Sequence, residues 1–379
     1  MIYIIHKRLI LLFILITLFL SSCSRVRSTS KGSNDKPAQT YQHPIPFTPK
    51  NYVAYHSDKP FTIDGKINED AWSDIPWTDS FVDIEGQLRP LPLWTTRAKM
   101  SWNDEYFIVA ATMDEPHIWA TLTERDAIMY HDDDIEVFID PDGDGHNYFE
   151  FEMNAFNAIW DLYMLYPYKV DGQRNYIMSY DIRGIQTAVD IKGTINNPAD
   201  QDTSWSVEIA IPWTTFKDFN AGHYLPATGE QWRINFSRVD WTMGIEDGKY
   251  VKQKNPEGKT LPEDNWVWSP TGYVNMHKPE TWGYVQFERD RAITFLDQEE
   301  EDIKWAMWKT YYAIKACHKL HGMNCTLPEA RLKDVEIKGY TYDPKLYTFP
   351  GGFVISASSI AGGYYTLDDR AQLKYNANK

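Results

Sequence analysis

Glu136, Glu150, Glu152 and Asn154 are polar side chains whose spacing brings them to one surface. Ile135, Val137 and Ile139 alternate with Glu136, Phe138 and Asp140, and Phe149, Phe151 and Met153 alternate with Tyr148, Glu150, Glu152 and Asn154. Alternation of period two is the pattern of a strand, and here it occurs twice in succession. If the aliphatic side packs inward, the acids share the opposite face with Phe138 and Tyr148. Carboxylates beside aromatic rings suit sugar hydroxyls, a metal ion, or acid/base chemistry. Pro141-Asp142-Gly143-Asp144-Gly145 joins the two runs and signals a tight hairpin, with glycines free to adopt positive φ and aspartates able to bond back to nearby amides. Asp140, Asp142 and Asp144 also resemble the start of a calcium loop, with Gly145 where an EF-hand-type loop bends sharply. The twelfth position is Phe151 rather than Glu, so a calcium site and a metal-free turn both stay open.

The wording D-x-[IV]-E-[VI]-F-[IL]-D-P-D-G-D-G followed by Y-x-E-F-x-x-N, spanning Asp133 to Asn154, resembles the family 9 carbohydrate-binding modules, especially the family-9-like lipoproteins of Bacteroidetes. Four further segments resemble the same family in the same order: Phe61 to Trp72 (FTIDGKINEDAW), Ala98 to Tyr106, Trp205 to Trp213, and Val274 to Phe287. The likeness runs from about Tyr52 to Glu288. It implies a β-sandwich, structural calcium, and a terminal sugar held between two tryptophans with a glutamate bonding its hydroxyls. The first tryptophan position falls here on Tyr130, which still offers a stacking face, and the glutamate falls on Glu136. The second falls near Met276 and His277. The resemblance therefore implies either a clamp built differently, with His277, Trp268 or Trp160 taking part, or a ligand other than a simple terminal sugar. Glu152 and Asn154 are candidate hydroxyl partners from their strand face alone.

The N-terminus bears on compartment. Lys7 and Arg8 precede an apolar run from Leu9 to Leu20, short of the roughly 20 residues a spanning helix needs but suited to a signal-peptide core. Leu20-Ser21-Ser22-Cys23 resembles a bacterial lipobox, which implies cleavage before Cys23 and a lipid on that cysteine. Residues 1–22 then form a signal peptide and 23–50, rich in Ser, Lys and Pro, a tether. The expected location is the bacterial envelope, at the outer membrane, with the lipid as the only membrane contact. Cys317 and Cys325 are the remaining cysteines. Eight residues of continuous helix would hold them about 12 Å apart, beyond disulfide reach, but Gly322-Met323-Asn324 can turn the chain back. A disulfide, two free thiols, and a metal site with His318 and His321 stay open.

A net charge of −15 argues against nucleic acid, which needs clustered Lys and Arg. Aromatic residues make up 15% of the chain, with 15 Trp and 24 Tyr, and such rings stack on the CH faces of pyranoses. Trp72, Trp102, Trp205 and Trp213 sit in strand patterns and are expected in the core. Tyr130, Tyr168, Trp266 and Trp268 read as turn aromatics open to a ligand.

Many short alternating segments without regular helices predict a mainly β protein, an antiparallel sandwich over residues 51–289. After Asp290 the pattern changes. An acidic run at 297–302 leads into Ile303, Ala306, Met307, Thr310, Tyr311 and Ile314 at helical spacing, ending near Gly322. Segments 339–342, 353–357 and 363–367 read as strands, so 290–379 is a helix with a small sheet. Three functions compete: non-catalytic oligosaccharide or polysaccharide capture by an anchored lipoprotein, a hydrolase of O-glycosyl bonds, and a haem-binding electron-transfer module with Met276 or His277 as axial ligand. The second would pair Glu150 and Glu152, whose Cβ atoms lie roughly 6.6 Å apart on one strand face, but no acid shows a reason in sequence for a raised pKa. The third lacks a C-x-x-C-H attachment signal. The first is preferred.

Overall fold

In the computed structural model, residues 36–168, 170, 175–219, 224–327 and 342–377 are described. The signal segment, Cys23 and most of the tether lie outside them, as do 339–341 of an expected strand. Among the described residues no helix is long and apolar enough to cross a membrane.

The period-two segments form strands where expected, most of them a residue or two longer at an end. Thr96–Trp102, Tyr106–Asp114, Asp134–Asp140, Tyr148–Asn154, Ser204–Pro212, Gln231–Asp240 and Gly283–Glu288 all join one sheet. With Asn51–His56, Ile159–Met164, Gln186–Lys192, Asp264–Val267 and two short strands, the sheet reaches thirteen strands and folds into a sandwich. From one edge the order is 186–192, 204–212, 106–114, 96–102, 51–56, 283–288, 231–240, 134–140, 148–154, 159–164 and 176–177. The sheet is not wholly antiparallel. Asn51–His56 runs parallel to both Gly283–Glu288 and Thr96–Trp102. That pairing joins distant parts of the chain, so no local pattern announces it.

Trp72, Trp102, Trp205 and Trp213 are buried in the main core, together with Ile135, Val137 and Ile139 of one hairpin strand and Phe149, Phe151 and Met153 of the other. Two of the sequence segments meet at one buried side chain. Glu208 accepts hydrogen bonds from Trp72 Nε1 (2.7 Å) on Oε1, and from the Asp64 (3.0 Å) and Gly65 (2.8 Å) amides on Oε2. Gly65 has φ of 86°, and a Cβ there would come within 2.5 Å of the Asp190 amide nitrogen. The Asp-Gly turn and the following Trp are thus fixed by one carboxylate on the 204–212 strand.

Beyond the sandwich, the acidic run leads into a helix, Glu301–His321, whose buried side carries Ile303, Ala306, Met307, Thr310, Tyr311 and Ile314 as the spacing predicts, with Trp305 and Trp308 added. Gly322, with φ of 69°, ends it. The chain then turns so that Cys317 and Cys325 come to a Cα separation of 6.1 Å and form a disulfide, which takes both thiols out of any metal site. Lys345–Phe349, Gly352–Ser358, Tyr364–Asp368 and Leu373–Asn376 form an antiparallel meander, and with the helix they enclose a second core around Met307, Ile314, Phe353 and Leu367. This unit docks on the sandwich through polar contacts. Arg233 Nη2 pairs with Glu301 Oε1 at 2.6 Å, and Gln372 Nε2 donates to Asp144 Oδ2 at 2.7 Å.

Replacing Glu208 by alanine strands three buried N–H donors. The expected loss is about 3–5 kcal/mol of unfolding free energy, read from the shift of the chemical-denaturation midpoint; a loss within error of zero would refute the role assigned to this carboxylate.

Candidate functional site

The hairpin turns its aliphatic face to the main core and its polar face to a cavity of about 280 Å³. Register fixes what lies there. Ser237, Glu136, Glu152 and Trp160 stand opposite one another across four adjacent strands, and in the next row Asn235, Phe138, Glu150 and Leu162 do the same. Neighbouring strands lie about 4.8 Å apart, so Glu136 and Glu152 are held side by side. Trp160 and Tyr168 wall one side, Tyr130 stands at the mouth, and Met276 and His277 close over from the loop before the last sandwich strand. Tyr130 is 39% exposed because its short turn buries Met129 and faces the next residue outward. His277 packs edge-on against Tyr168 with ring centroids 4.1 Å apart, its Nδ1 lies 2.9 Å from Tyr148 Oη, and its Nε2 lies 3.9 Å from Glu150 Oε1.

The three glutamates are buried, none more than 5% exposed. Burial in a low-dielectric surround disfavours the charged form. Glu136 is pushed up to about 7, mainly by burial, with a hydrogen bond from Ser237 opposing and the charge of Glu263 adding. Glu150 and Glu152 are pushed well above the ordinary carboxylate range by burial and by the charge of Glu136; for Glu152 the charges of Glu150 and Asp134 add further. The sequence reading found no reason for a raised pKa here, and the structure supplies one. A strand read alone assigns every second residue to solvent, whereas this sheet is covered on both faces. The cavity wall also holds polar atoms without protein partners: Glu150 Oε2, Glu152 Oε2 and Trp160 Nε1. Acceptors and a donor left unpaired beside aromatic faces are what a polyhydroxylated ligand would satisfy.

Of the candidates read from sequence, Tyr130, Glu136, Glu152, Trp160 and His277 come together at this cavity. Asn154 and Trp268 do not. Asn154 is fully buried and fully engaged: Nδ2 donates to Leu122 O and Asp132 Oδ2, and Oδ1 accepts from the Phe156 and Ala158 amides. It closes the turn after its strand. Trp268 is 1% exposed and packs on Phe236 in the main core, and Trp266 is buried beneath the Arg238 guanidinium. Their alternation around Val267 is a strand too short to stand out in sequence. Asp140, Asp142 and Asp144 place oxygens within 4.8 Å of one another. However, Asp140 accepts the Gly143 and Gly145 amides, and Asp144 accepts the His146 amide and Gln372. The loop is thus braced by protein donors, five of them onto these three carboxylates. Sequence reasoning missed Asn265, which reaches the cavity from the strand Asp264–Val267, and Glu263 just before that strand, and missed that Asp134 continues the Glu136 face.

Residues 63–289, more than half of the chain, match the model of the carbohydrate family 9 binding domain-like family. The chain belongs to this family. The matched region of the family 9 domain contains the whole hairpin, Tyr130 and the loop carrying His277. Among curated proteins it is similar to exoglucanase XynX of Acetivibrio thermocellus, 25% identical over 158 residues, 42% of this chain and 12% of that protein. It is equally similar to endo-1,4-beta-xylanase A of Thermoanaerobacterium saccharolyticum, again 25% over 158 residues, 42% of this chain and 11% of that one. The chain therefore spans about a tenth of the length of these relatives. Among solved structures, a family 9 module of Caldicellulosiruptor kristjanssonii in complex with glucose is 14% identical, with a TM-score of 0.41 over 65% of this chain and 99% of that one. A candidate carbohydrate-binding protein from Bacteroides uniformis is 15% identical, with a TM-score of 0.46 over 64% of this chain and all of that one.

Raised carboxyl pKa values make this family 9 domain pH-sensitive. Burial raises Glu136 from the ordinary glutamate value of about 4.5 in the unfolded chain to about 7 in the folded one, so the folded state holds its proton more tightly. The resulting stability is fully present below about pH 4.5 and is lost as pH rises through about 7. In the presence of chelator, this residue is expected to lower the melting temperature across that window, and Glu136→Gln to make the decline shallower. An identical pH profile for wild type and variant would contradict the assignment.

Proposed function

We propose that this protein is a non-catalytic carbohydrate-binding lipoprotein that captures oligosaccharide or polysaccharide at the cavity and supplies it to a degradation or uptake system. The observation that carries this reading is the unpaired Glu150, Glu152 and Trp160 polar atoms beside the rings of Tyr130, Trp160 and Tyr168. Sugars present hydroxyls at their edges and C–H groups on their faces, which suits both sets of groups. Glu136 and Glu152 are assigned to hydroxyls, Tyr130 and Trp160 to ring stacking, and His277 to the opposite wall. A lipid on Cys23 would hold the protein at the bacterial envelope, with the outer membrane as the expected site. Gluco- and xylo-oligosaccharides are the first ligands to test, because the relatives are named for an exoglucanase and a xylanase.

Binding is preferred to hydrolysis on the electrostatics. A glycosidase separates its two carboxyls, one protonated as acid and one ionised as nucleophile or base. Here Glu136, Glu150 and Glu152 are all pushed the same way by the same cause. Beside them His277 Nε2 stands 3.9 Å from Glu150 Oε1, beyond hydrogen-bond reach.

A glycan array and calorimetry on residues 24–379 test this. Tyr130→Ala is expected to weaken binding about fivefold, the loss of one stacking face, and Glu136→Ala about tenfold, the loss of a hydrogen bond to a partly charged group. No glycan bound across the array would end the functional reading. Binding unaltered by both substitutions would move the site elsewhere.

A further inference from the structure

We infer that Asp134, Glu136 and Glu152 form a binding site for a hard divalent cation, beside the cavity that Glu136 and Glu152 line. The oxygens of the three carboxylates lie within 4.8 Å of one another. Asp134 is completely buried, and neither of its oxygens has a hydrogen-bond partner; Glu152 Oε2 has none either. Among the described residues, no Lys, Arg or His forms an ion pair with any of the three. The neighbouring cations are committed: Arg238 to Glu115 and Asp240, and the Lys252 amine to the face of Trp241, 3.2 Å from the ring centroid.

Carboxylates at such separations repel by about 4 kcal/mol per ionised pair at an effective dielectric constant of about 20. Either protons or a cation must relieve this. Protons relieve it in the metal-free chain, and a cation would displace them; Asp134 makes no hydrogen bond to Glu136 or Glu152 that would have to break first. A cation needs what is present: several unshared oxygens converging from two strands, with no competing donor. The contrast with the other buried acids is informative. Glu115, Asp133 and Asp240 also converge, but Arg238 lies among them, and Asp140 is satisfied by backbone amides. Only oxygen ligands are offered, which selects calcium, magnesium or manganese over zinc or copper. Calcium fits best, since it accepts carboxylates in one- or two-toothed geometry and fills remaining positions with water.

Calorimetric titration of the chelator-stripped full chain with calcium needs no sugar, so this inference stands or falls apart from the carbohydrate reading. One site is expected, weakened about tenfold or more by Asp134→Asn and by Glu152→Gln, because affinity follows the ligand charge count, and unchanged by Asp142→Asn. Both informative variants conserve volume and remove charge repulsion, so the stripped variants should melt at or above the wild-type temperature, which shows that they fold. Absence of any isotherm with calcium, magnesium and manganese at millimolar concentration overturns the inference. So does an isotherm lost in Asp142→Asn and kept in Glu152→Gln.

Discussion

The cavity depends on one constraint: the 134–154 hairpin has no free face. An antiparallel sheet usually packs one side on the core and leaves the other wet. Here Ile135, Val137, Phe149 and Phe151 go to the main core, while Phe138, Tyr148, Trp160 and Trp282 form a second apolar cluster on the other side. Glu136, Glu150 and Glu152 share that second side, so side chains that would ordinarily be solvated are removed from bulk water. Their raised pKa values, their unpaired oxygens and the concave site all follow from covering this face.

What covers it is held by Arg233 and by the C-terminal unit. The loop that brings Met276 and His277 over the glutamates is pinned where Trp282 Nε1 donates to Met276 O at 2.8 Å. Arg233 Nη1 then donates to Trp282 O at 2.7 Å. The same guanidinium lies over the Tyr284 ring and pairs with Glu301 at the start of the helix. Tyr312, about three turns along that helix, bonds Glu280 and Lys278 of the same loop. The region after residue 290 therefore supports the wall of the cavity, although its own core is separate.

Local pattern made the hairpin, the four core tryptophans and the helix legible, because each is written in consecutive residues at period two or near 3.6. The same logic pointed to Glu136 and Glu152, and the family likeness to Tyr130, Trp160 and His277, all of which line the cavity. It failed where distant chain decides the outcome. Asn154 has the right face but is consumed by its own turn and by Asp132. Trp268 has a partner in Phe236 on a neighbouring strand. Asn51–His56 finds its parallel neighbours only after the chain has wound round the sandwich.

Acid density is a poor guide to chemistry by itself, as the buried clusters of this chain demonstrate. Glu208 is neutralised in effect by an indole and two amides, and it organises a turn. Glu115 and Asp240 pair with Arg238 and stitch strands together. The Asp140–Asp144 loop has the most suggestive sequence, yet its carboxylates are spent on amides and on Gln372, while the Asp144 carbonyl receives the Leu373 amide. It acts as a strut to the C-terminal sheet. Asp134 keeps two buried oxygens and Glu152 one with no protein donor to meet, and Glu150 beside them keeps another. A buried carboxylate without a partner costs several kcal/mol, and here the cost falls on three acids of adjacent strands that share one face. Of these, Glu150 and Glu152 line the aromatic-walled cavity, and Asp134 lies next to them, within 4.8 Å of Glu136 and Glu152 oxygens.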